Sequence, residues 1–375
     1  MRIASFNVEN LFERPKAMDP DEGDAEDRAT ALAAQAEVAG LLDRTSYDGV
    51  EDRILELLGI CGVLRDDEGG RYVRLRKIRG QLLRRPRTGD VQLVAHGRGD
   101  WVGWVELKTI QVRAAATQNT ARVIDELDAD LLAVVEADNR PGLLLFSAAT
   151  LLQVGGRPYE QVMLVEGNDL RGIDVGILAR PDYPLREIRT HVFDTDAEGV
   201  IFSRDCCEYH LDTPQGQRLV VMANHFKSKG YSAPGDPIGA KRRARQAKRV
   251  KEIYQALLEE GIELIAITGD LNDDPDSAAL QQLLTLPNLT DISEHDDFEW
   301  NGRLGTYGSG NRSDKIDYIL LSDALFAKAT GGGVFRKGVW RGSRTKDPWE
   351  IFPTLQARQE EASDHAAVWA DLEDL

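Results

Sequence analysis

Short apolar runs of strand length recur along the chain, and they restrict its fold more than any other feature of the sequence. Seven such runs lie at residues 3–8, 131–135, 174–179, 218–226, 263–268, 317–321 and 366–372. Amphipathic stretches with apolar residues at helical spacing lie between them, at residues 120–127, 243–258 and 277–284. Strands interspersed with helices predict a layered α/β domain.

The interval between the first two runs is longer than one helical crossover requires. The chain has 375 residues, which also exceeds the usual size of one domain. We therefore predict one catalytic domain over residues 1–375 with an insertion at residues 18–104. The insertion could gate a site, shape a pocket or bind a partner.

Polar side chains follow several of the apolar runs. Asn7 lies at the end of the first run and Glu9 follows it, and Glu136 follows the second run. Asp270 and Asn272 follow the fifth run, and because strand residues alternate faces, both can point to one side. A carboxylate at the end of a buried strand needs a cation or a hydrogen-bond donor, and such oxygen ligands suit magnesium or manganese. Each residue alone could instead form a cap, a turn or an ion pair, so the prediction depends on the whole set.

Two of the six histidines, His225 and His365, lie next to predicted strands. Either one alone could be a structural histidine. Histidine can give or take a proton near neutral pH when a carboxylate fixes its tautomer. Asp317, which begins another run, is the candidate for that orienting role.

Seven short motifs, in this order, resemble those of the endonuclease/exonuclease/phosphatase superfamily. They are Phe6-Asn7-Val8-Glu9-Asn10-Leu11-Phe12, Val135-Glu136, Arg171-Gly172-Ile173-Asp174-Val175, Asn224-His225-Phe226-Lys227-Ser228-Lys229, Gly269-Asp270-Leu271-Asn272, Lys315-Ile316-Asp317-Tyr318 and Ser363-Asp364-His365. The resemblance covers residues 1–13 and the chain from about residue 110 onward, and it leaves only the insertion without a counterpart. It is greatest to a bacterial nuclease branch with the first and fourth motifs.

The resemblance implies a four-layer α/β/β/α sandwich, in which two packed mixed sheets are flanked by helices and the site lies at one rim. Glu136 would be the main ligand of a divalent metal, usually magnesium, and Asn7 a further ligand. His365, oriented by Asp317, would act on the attacking water or on the phosphate. Asp270 is the competing general base, and the choice stays open because coupled groups share protons.

The other motif residues receive auxiliary roles from the same resemblance. His225 would bind the phosphate or protonate the leaving oxygen, and Asp364 would touch the cation or add a hydrogen bond beside it. Asp174 would either orient a histidine or form a structural ion pair. Substrate contacts are implied for Asn272, which would orient the phosphate, and for Arg171, Asn224 and Lys227.

The net charge of −17 opposes loose attachment to nucleic acid, because it repels a polyanion at long range. Two basic clusters offset this charge locally. The first lies in the insertion and contains Arg71, Arg74, Arg76, Lys77, Arg79, Arg84, Arg85 and Arg87. The second contains Lys241, Arg242, Arg243, Arg245, Lys248, Arg249 and Lys251. Each could follow a phosphate backbone, or could be a solvated face paired with acids.

Other features bear on the location of the protein. No apolar run is long enough to span a membrane. The N-terminal residues lack the apolar segment of a secretory signal, so a cytoplasmic location is predicted. The three cysteines fit neither a disulfide framework nor a zinc site.

These observations predict a metal-dependent phosphodiesterase, in the first place a nuclease that acts on DNA or RNA. A phosphatase or phosphodiesterase acting on a lipid or small-molecule phosphate is the alternative, suggested by the acidic charge and the insertion. A catalytic fold that only binds a ligand is disfavoured, because the motif residues are all present. The sequence indicates no particular protein partner.

Overall fold

A computed structural model describes residues 1–9, 11–18, 22–169, 171–229, 235–236, 238–342 and 349–375. Asn10 of the first motif lies outside the described residues. The chain forms two compact units. The first comprises Met1–Phe12, Val112–Lys229 and Gly239–Leu375, and the second comprises Glu13–Gln111 and Gly230–Ile238.

The first unit contains two mixed sheets. In spatial order the strands of one sheet are Phe298–Glu299, Ala329–Phe335, Ala367–Leu372, Arg2–Asn7, Leu131–Ala137, Asp174–Ala179 and Gln161–Val165. Those of the other sheet are Leu185–Arg189, Cys206–Asp212, Arg218–His225, Leu264–Asp270, Asp317–Ser322 and Leu289–Asp291. A short hairpin pairs Thr195–Asp196 with Gly199–Val200. All seven predicted runs lie on strands of these two sheets.

Helices cover the outer faces of both sheets. Ala114–Leu127 packs on the first sheet, where Val123 and Leu127 belong to the same apolar cluster as Phe6 and Val134. Ala240–Glu259 packs on the second sheet through a separate cluster. The shorter α-helical segments are Arg140–Leu145, Gln281–Leu284 and Asp323–Phe326, a π-helical segment is Phe146–Leu151, and 3-10 turns are Ile292–Glu294, Arg312–Asp314 and Arg358–Glu360. The predicted α/β/β/α layering is confirmed.

One predicted helix is shorter than expected. The stretch at residues 277–284 is helical only over Gln281–Leu284. The hydroxyl of Ser277 donates to Asp273 and accepts the backbone N–H of Ala279. These side-chain bonds replace the helical bonds of the first turn.

The core between the sheets explains how polar side chains reach the rim. Alternate residues of each strand point inward, such as Ile3 and Val221, and they form one cluster from both sheets. Continuing this alternation to the strand ends places Asn7, His225 and Asp270 on the same inner face. The strand pattern that builds the core therefore also positions the candidate site.

The second unit has its own apolar core, which includes Leu32, Val38, Ile54 and Trp101. Its helices are Ala25–Leu42 and Glu51–Ile60, with a 3-10 turn at Lys16–Met18. Its strand pairs are Glu13–Pro15 with Thr109–Gln111, Val73–Arg79 with Val102–Leu107, and Leu83–Arg84 with Gln92–Leu93. Among the described residues, no helix of either unit combines the length and apolar character that a membrane span requires.

Candidate active site

Strand register brings three side chains into one row across the second sheet. His225 ends the strand Arg218–His225 and lies opposite Asp270, the last residue of Leu264–Asp270. Asp270 lies opposite Asp317, the first residue of the next strand. Residues in register on neighbouring strands point to the same face, and the strands are about 4.8 Å apart. The row therefore concentrates two carboxylates and one imidazole at the rim.

A glycine allows the central strands of this row to approach. Gly269 has a φ of 128°. A Cβ atom on this residue would lie 1.9 Å from the carbonyl oxygen of Asn224. Only glycine tolerates both the conformation and the contact, so residue 269 maintains the pairing of His225 with Asp270.

Glu136 reaches the same rim from the first sheet through a β-bulge. The strand Leu131–Ala137 shifts its register against its neighbour here and leaves Glu136 as the extra residue. The φ of Glu136 is 64°, in the left-handed region. Glu9 and Asn272 also have positive φ values, of 48° and 54°. Bulges and left-handed non-glycine residues are concentrated at functional sites, which supports a shared role for these three positions.

The carboxylate of Asp270 lies at the centre of the site. Its Oδ2 accepts hydrogen bonds from Nδ2 of Asn7 at 3.3 Å and of Asn272 at 3.0 Å, and its Oδ1 accepts the Asn272 backbone N–H at 2.8 Å. Oδ2 is also 3.5 Å from Nε2 of His225 and 3.9 Å from Nε2 of His365. Burial raises the pKa of Asp270 above its usual range. Asp270 is therefore placed to accept a proton between two imidazoles.

His365 is held in a fixed orientation. Its Nδ1 lies 3.1 and 2.9 Å from the two carboxylate oxygens of Asp317. The hydroxyl of Thr306 donates to Asp317 at 2.6 Å, and the ring of Tyr307 lies against His365 with the centroids 4.9 Å apart. Burial lowers the pKa of His365, but the charge and hydrogen bond of Asp317 outweigh burial and raise it well above 6.5. The ring thus keeps a proton on Nδ1 and directs Nε2 into the site.

His225 has a different environment. Its Nε2 lies 3.6 Å from Oε1 of Glu136, and its buried Nδ1 has no hydrogen-bond partner within the described part of the chain. Burial lowers the pKa of His225 well below 6.5, and the charges of Arg204 and Arg171 lower it further. His225 is therefore a neutral imidazole beside a carboxylate.

Three cations lie close to His225. Arg171 donates to Asp169 through Nε at 2.9 Å, and Arg204 donates to the same carboxylate at 3.1 Å. Arg204 also donates to the carbonyl oxygen of Phe226. Burial lowers the pKa of Lys227 to about 7, and the charges of Arg204 and Arg171 act in the same direction. Two arginines that share one carboxylate, with Lys227 beside them, favour an anion on this side of the site.

Asp364 and Glu9 connect two loops at the rim. Oδ1 of Asp364 is 3.8 Å from Nε2 of His365, and its backbone N–H donates to Oε2 of Glu9 at 3.1 Å. The backbone N–H of Glu9 donates to Oδ1 of Asn7 at 3.0 Å. The loop after the first strand is therefore joined to the loop before the last one.

The donor chemistry of the site fits a divalent cation. Five carboxylates face only two imidazoles, and they belong to Glu9, Glu136, Asp270, Asp317 and Asp364. Within the described residues, Asp270, Asp317 and His365 offer ligand atoms that all lie within 4.8 Å of one another. A cation would balance the excess negative charge, and carboxylate and amide oxygens are the ligands that hard divalent ions take.

Two predicted residues lie away from this centre. Asp174 accepts the backbone N–H of Gly167 at 2.7 Å, and its described contacts include no histidine, which favours the structural interpretation. Asn224 is fully buried and donates to the carbonyl oxygens of Met222 and Thr268. Its side chain lies on the face of the strand opposite to that of His225. This placement favours a structural role for Asn224 over the predicted contact with substrate.

Three residues near the site were not predicted from the sequence. Thr306 holds Asp317, Tyr307 packs on His365, and Arg204 places a buried charge beside His225. None of the three lies in one of the seven motifs that resemble those of the superfamily. Their roles arise from contacts between segments far apart in the chain.

The second basic cluster is largely paired with acids. Arg245 donates to Asp196 at 2.7 Å, and Arg249 donates to Asp194 at 2.7 Å. Arg243 is 1% exposed and donates to Asp273 at 2.9 Å. The structure therefore favours the ion-paired helix face over a surface that follows a phosphate backbone.

Arg243→Ala is expected to lower the free energy of unfolding by about 3 kcal/mol, because Asp273 would lose a buried charge partner. Urea unfolding followed by circular dichroism would measure this loss. Lys248→Ala, on the exposed face of the same helix, should change the stability by less than about 0.5 kcal/mol. Equal stabilities of the two variants would contradict a structural role for Arg243.

Comparisons with known proteins agree with this architecture. The sequence model of the Endonuclease/Exonuclease/phosphatase family matches residues 110–365. A mannosyl-6-phosphatase of Bacteroides thetaiotaomicron is similar in structure, with a TM-score of 0.51 and 19% identity, over 69% of this chain and 92% of that one. A protein of the same family and organism has a TM-score of 0.49 and 20% identity, over 70% and 90% of the two chains. A search of curated proteins found no match.

Proposed function

The chain belongs to the endonuclease/exonuclease/phosphatase family, whose members are hydrolases of phosphoric esters, and from this we propose that it is a metal-dependent phosphodiesterase that cleaves DNA or RNA. The observation that carries the proposal is the position of Asp270. Its Oδ2 lies 3.5 and 3.9 Å from the Nε2 atoms of two histidines whose environments differ. Such a pair can divide the proton-transfer and charge-stabilising roles of ester hydrolysis.

Asp270 and His365 have separate roles on the side of the phosphate from which water would attack. Asp317 fixes His365 so that its Nε2 can donate a hydrogen bond to a non-bridging phosphate oxygen. Asp270 would remove the proton of the attacking water, because its carboxylate lies between the two imidazoles and is oriented by the two amide hydrogen bonds. Asn272 holds that carboxylate and presents its own side chain to the phosphate.

A divalent metal, most suitably magnesium, would be held by Glu136 with Asn7 and Asp364. Asp317 is less suited to the ion, because both of its oxygens contact His365 and one accepts the Thr306 hydroxyl. When bound, the ion would supply positive charge to the phosphate oxygens. Glu136 is poised for this role because its left-handed bulge directs a mostly buried carboxylate to the rim.

The leaving side is formed by His225 and the cations beside it. His225, as a neutral imidazole, would donate a hydrogen bond to the phosphate or to the leaving oxygen. Lys227 and Arg171 extend this positive surface toward the substrate, and Arg204 supports both from a buried position. The arrangement suits a diester, because each side of the phosphorus has its own set of polar groups.

A basic surface on the second unit supports a polynucleotide substrate. We call it the hairpin basic patch, and it consists of Lys77, Arg79, Arg84 and Arg87. All four side chains are exposed, and none has an ion pair or hydrogen bond among the described residues. Trp104 and Ile78 are 45% and 70% exposed, and they lie on the strand pair Val73–Arg79 and Val102–Leu107, which also carries Lys77 and Arg79. Exposed cations without a partner among the described residues, together with an exposed indole on the same strand pair, are suited to a phosphate backbone with stacked bases.

The other four basic residues of this first cluster are paired. Arg74 and Arg76 contact Glu106, Arg71 contacts Glu22, and Arg85 contacts Asp67. These pairs lower the number of cations that can meet a polyanion. The hairpin basic patch is thus the part of the cluster that fits the nuclease proposal.

A small-molecule phosphate is the second candidate substrate. The net charge of −17 opposes the approach of a long polyanion more than that of a small ester. The fold is also that of a protein named as a mannosyl-6-phosphatase, although a likeness of this extent concerns the fold alone.

The two candidates differ in the substrates that the protein should cleave. We expect magnesium-dependent cleavage of single-stranded DNA, duplex DNA or RNA, together with hydrolysis of bis-p-nitrophenyl phosphate. The double variant Arg79→Gln/Arg84→Gln should cleave the polynucleotide roughly tenfold more slowly at physiological salt, because two phosphate contacts are lost. Its rate on the small ester should match that of the wild type.

A matched double variant controls for the change in net charge. Arg44→Gln/Arg218→Gln removes two exposed arginines outside the hairpin basic patch and should behave as the wild type does. Hydrolysis of the small ester with no cleavage of any polynucleotide would overturn the nuclease proposal and favour the second candidate.

A further inference from the structure

A cleft of about 380 Å³ opens beside the candidate active site in the first unit. The charged and aromatic residues that line it include Arg303, Trp340, Arg341, Trp349, Arg358 and Asp364. Asp364 belongs to both places, because its Oδ1 is 3.8 Å from Nε2 of His365. The backbone N–H of Gly308, also in the cleft wall, donates to the carbonyl oxygen of Asp364 at 2.8 Å. The cleft therefore adjoins the reacting centre through Asp364, and its volume suits one small group.

Arginine dominates the charge of this cleft. Three guanidinium groups line it, from Arg303, Arg341 and Arg358, against the carboxylates of Glu361 and Asp364. Nε of Arg358 donates to Oε1 of Glu361 at 3.3 Å, and Arg341 donates to the carbonyl oxygen of Trp349 at 2.8 Å. The cleft therefore has one more positive charge than negative charges, and these contacts fix two of its three guanidinium groups.

The guanidinium group of Arg303 is available to bind a ligand. In the described part of the chain its side chain has no hydrogen bond or ion pair, although its backbone carbonyl accepts a bond from Arg336. It lies on the loop that also carries Thr306 and Tyr307, which hold Asp317 and His365. An arginine without an internal partner offers a planar set of donors that matches phosphate oxygens.

Two indole rings give the cleft an apolar wall. Trp349 is 8% exposed, and its Nε1 donates to the carbonyl oxygen of Val339 at 3.2 Å, so its ring is fixed. The backbone N–H of Trp340 donates to Glu361 at 3.2 Å. A fixed apolar wall in a cleft that an arginine also lines suits a group that combines a ring with an anion.

We propose that this cleft binds a second phosphate group of the substrate, next to the scissile phosphate, with Arg303 as its principal ligand and the indole wall against the attached sugar or base. The inference rests on the proposed function and deepens it, since it assigns the substrate to phosphodiesters that carry a further phosphate. A nucleotide unit with two phosphates has this composition.

Two pairs of chromogenic esters test the cleft by turnover. They are thymidine 5′-(p-nitrophenyl phosphate) and its derivative with a 3′-phosphate, together with the isomeric pair in which the reacting ester is on the 3′ oxygen. In one of these pairs the wild type should prefer the ester with the additional phosphate by at least about tenfold in kcat/KM. Arg303→Gln should bring this ratio close to one, whereas Arg218→Gln, at the far end of the strand that leads to His225, should keep it.

A binding measurement separates this inference from the proposed function. Thymidine 3′,5′-bisphosphate is titrated into the protein in the presence of EDTA, and tryptophan fluorescence reports binding without turnover. The Kd should rise at least about tenfold in Arg303→Gln and stay unchanged in Arg218→Gln. Equal Kd values in the wild type and Arg303→Gln would overturn the inference. Failure of the wild type to hydrolyse any ester would instead overturn the proposed function, and the titration would still decide the role of the cleft.

Discussion

Replacing His365 by alanine is expected to lower kcat for bis-p-nitrophenyl phosphate about a thousandfold, with a smaller change in KM. The imidazole is fixed by Asp317 at 2.9 Å and directs Nε2 toward Asp270. Its removal takes away a positively charged donor at the point where the phosphate would gain negative charge. Steady-state kinetics in saturating magnesium would measure the loss.

Two variants show whether this loss is specific to the site. His295→Ala removes a histidine of the same unit whose ring contacts Phe326 and the carbonyl oxygen of Ala329, and it should keep near wild-type kinetics. Asp317→Asn leaves the imidazole in place but removes its charged partner, so it should lower kcat by less than His365→Ala and alter the pH profile. A His365→Ala protein that is folded and retains kcat within about threefold of the wild type would remove His365 from the reaction.

Glu136→Gln is expected to weaken the apparent affinity for magnesium about a hundredfold and to lower kcat by a similar factor at fixed magnesium. The substitution keeps the size of the side chain but removes the charge that would neutralise the cation. Glu136 is suited to this test because its only described ionic partner is His225, at 3.6 Å. Calorimetric titration with magnesium and the dependence of rate on magnesium concentration give two independent readouts.

Glu263→Gln provides the matched control for charge. Glu263 is exposed and precedes the strand that ends at Asp270, so it lies at the opposite edge of the sheet. Its variant should bind magnesium as the wild type does. Unchanged magnesium affinity in Glu136→Gln would contradict the assignment of Glu136 as the metal ligand and favour the cluster of Asp270, Asp317 and His365 as the metal site.

The strands and the residues at their ends could be predicted from sequence for a local physical reason. A buried strand needs a continuous apolar run, and a polar residue at its end, such as Asp270 after the run 263–268, interrupts that run visibly. The pattern therefore indicated which residues would lie at a rim. Seven motifs in order then favoured one layered fold, which the structure confirms.

The relations between these residues could not be predicted in the same way. The alignment of His225 with Asp270 and Asp317 depends on the register of three strands, and register is set by pairing across the sheet. The bulge at Glu136 is likewise a property of two strands. Thr306 acts through a loop that no strand pattern marks.

Long-range pairing also decided which charges are available. The helix Ala240–Glu259 begins with a basic run that reads as a phosphate-binding surface, yet its arginines meet Asp194 and Asp196 from another segment. Arg243 is buried for the same reason, because its partner Asp273 lies in a distant loop. Counting charges along the chain does not show such partners. Lys77 and Arg79, which have no ionic partner in the described part of the chain, become distinguishable from the paired arginines only in the fold.

The most direct test of the central claim is the initial rate of bis-p-nitrophenyl phosphate hydrolysis, with saturating magnesium and with EDTA. The wild type and His365→Ala should be purified and assayed in parallel, so that a contaminating phosphodiesterase is recognised. We predict hydrolysis by the wild type that requires the metal and falls about a thousandfold in the variant. Equal rates for the two proteins, or a wild-type rate that EDTA leaves unchanged, would contradict a metal-dependent phosphodiesterase site built around Asp270 and His365.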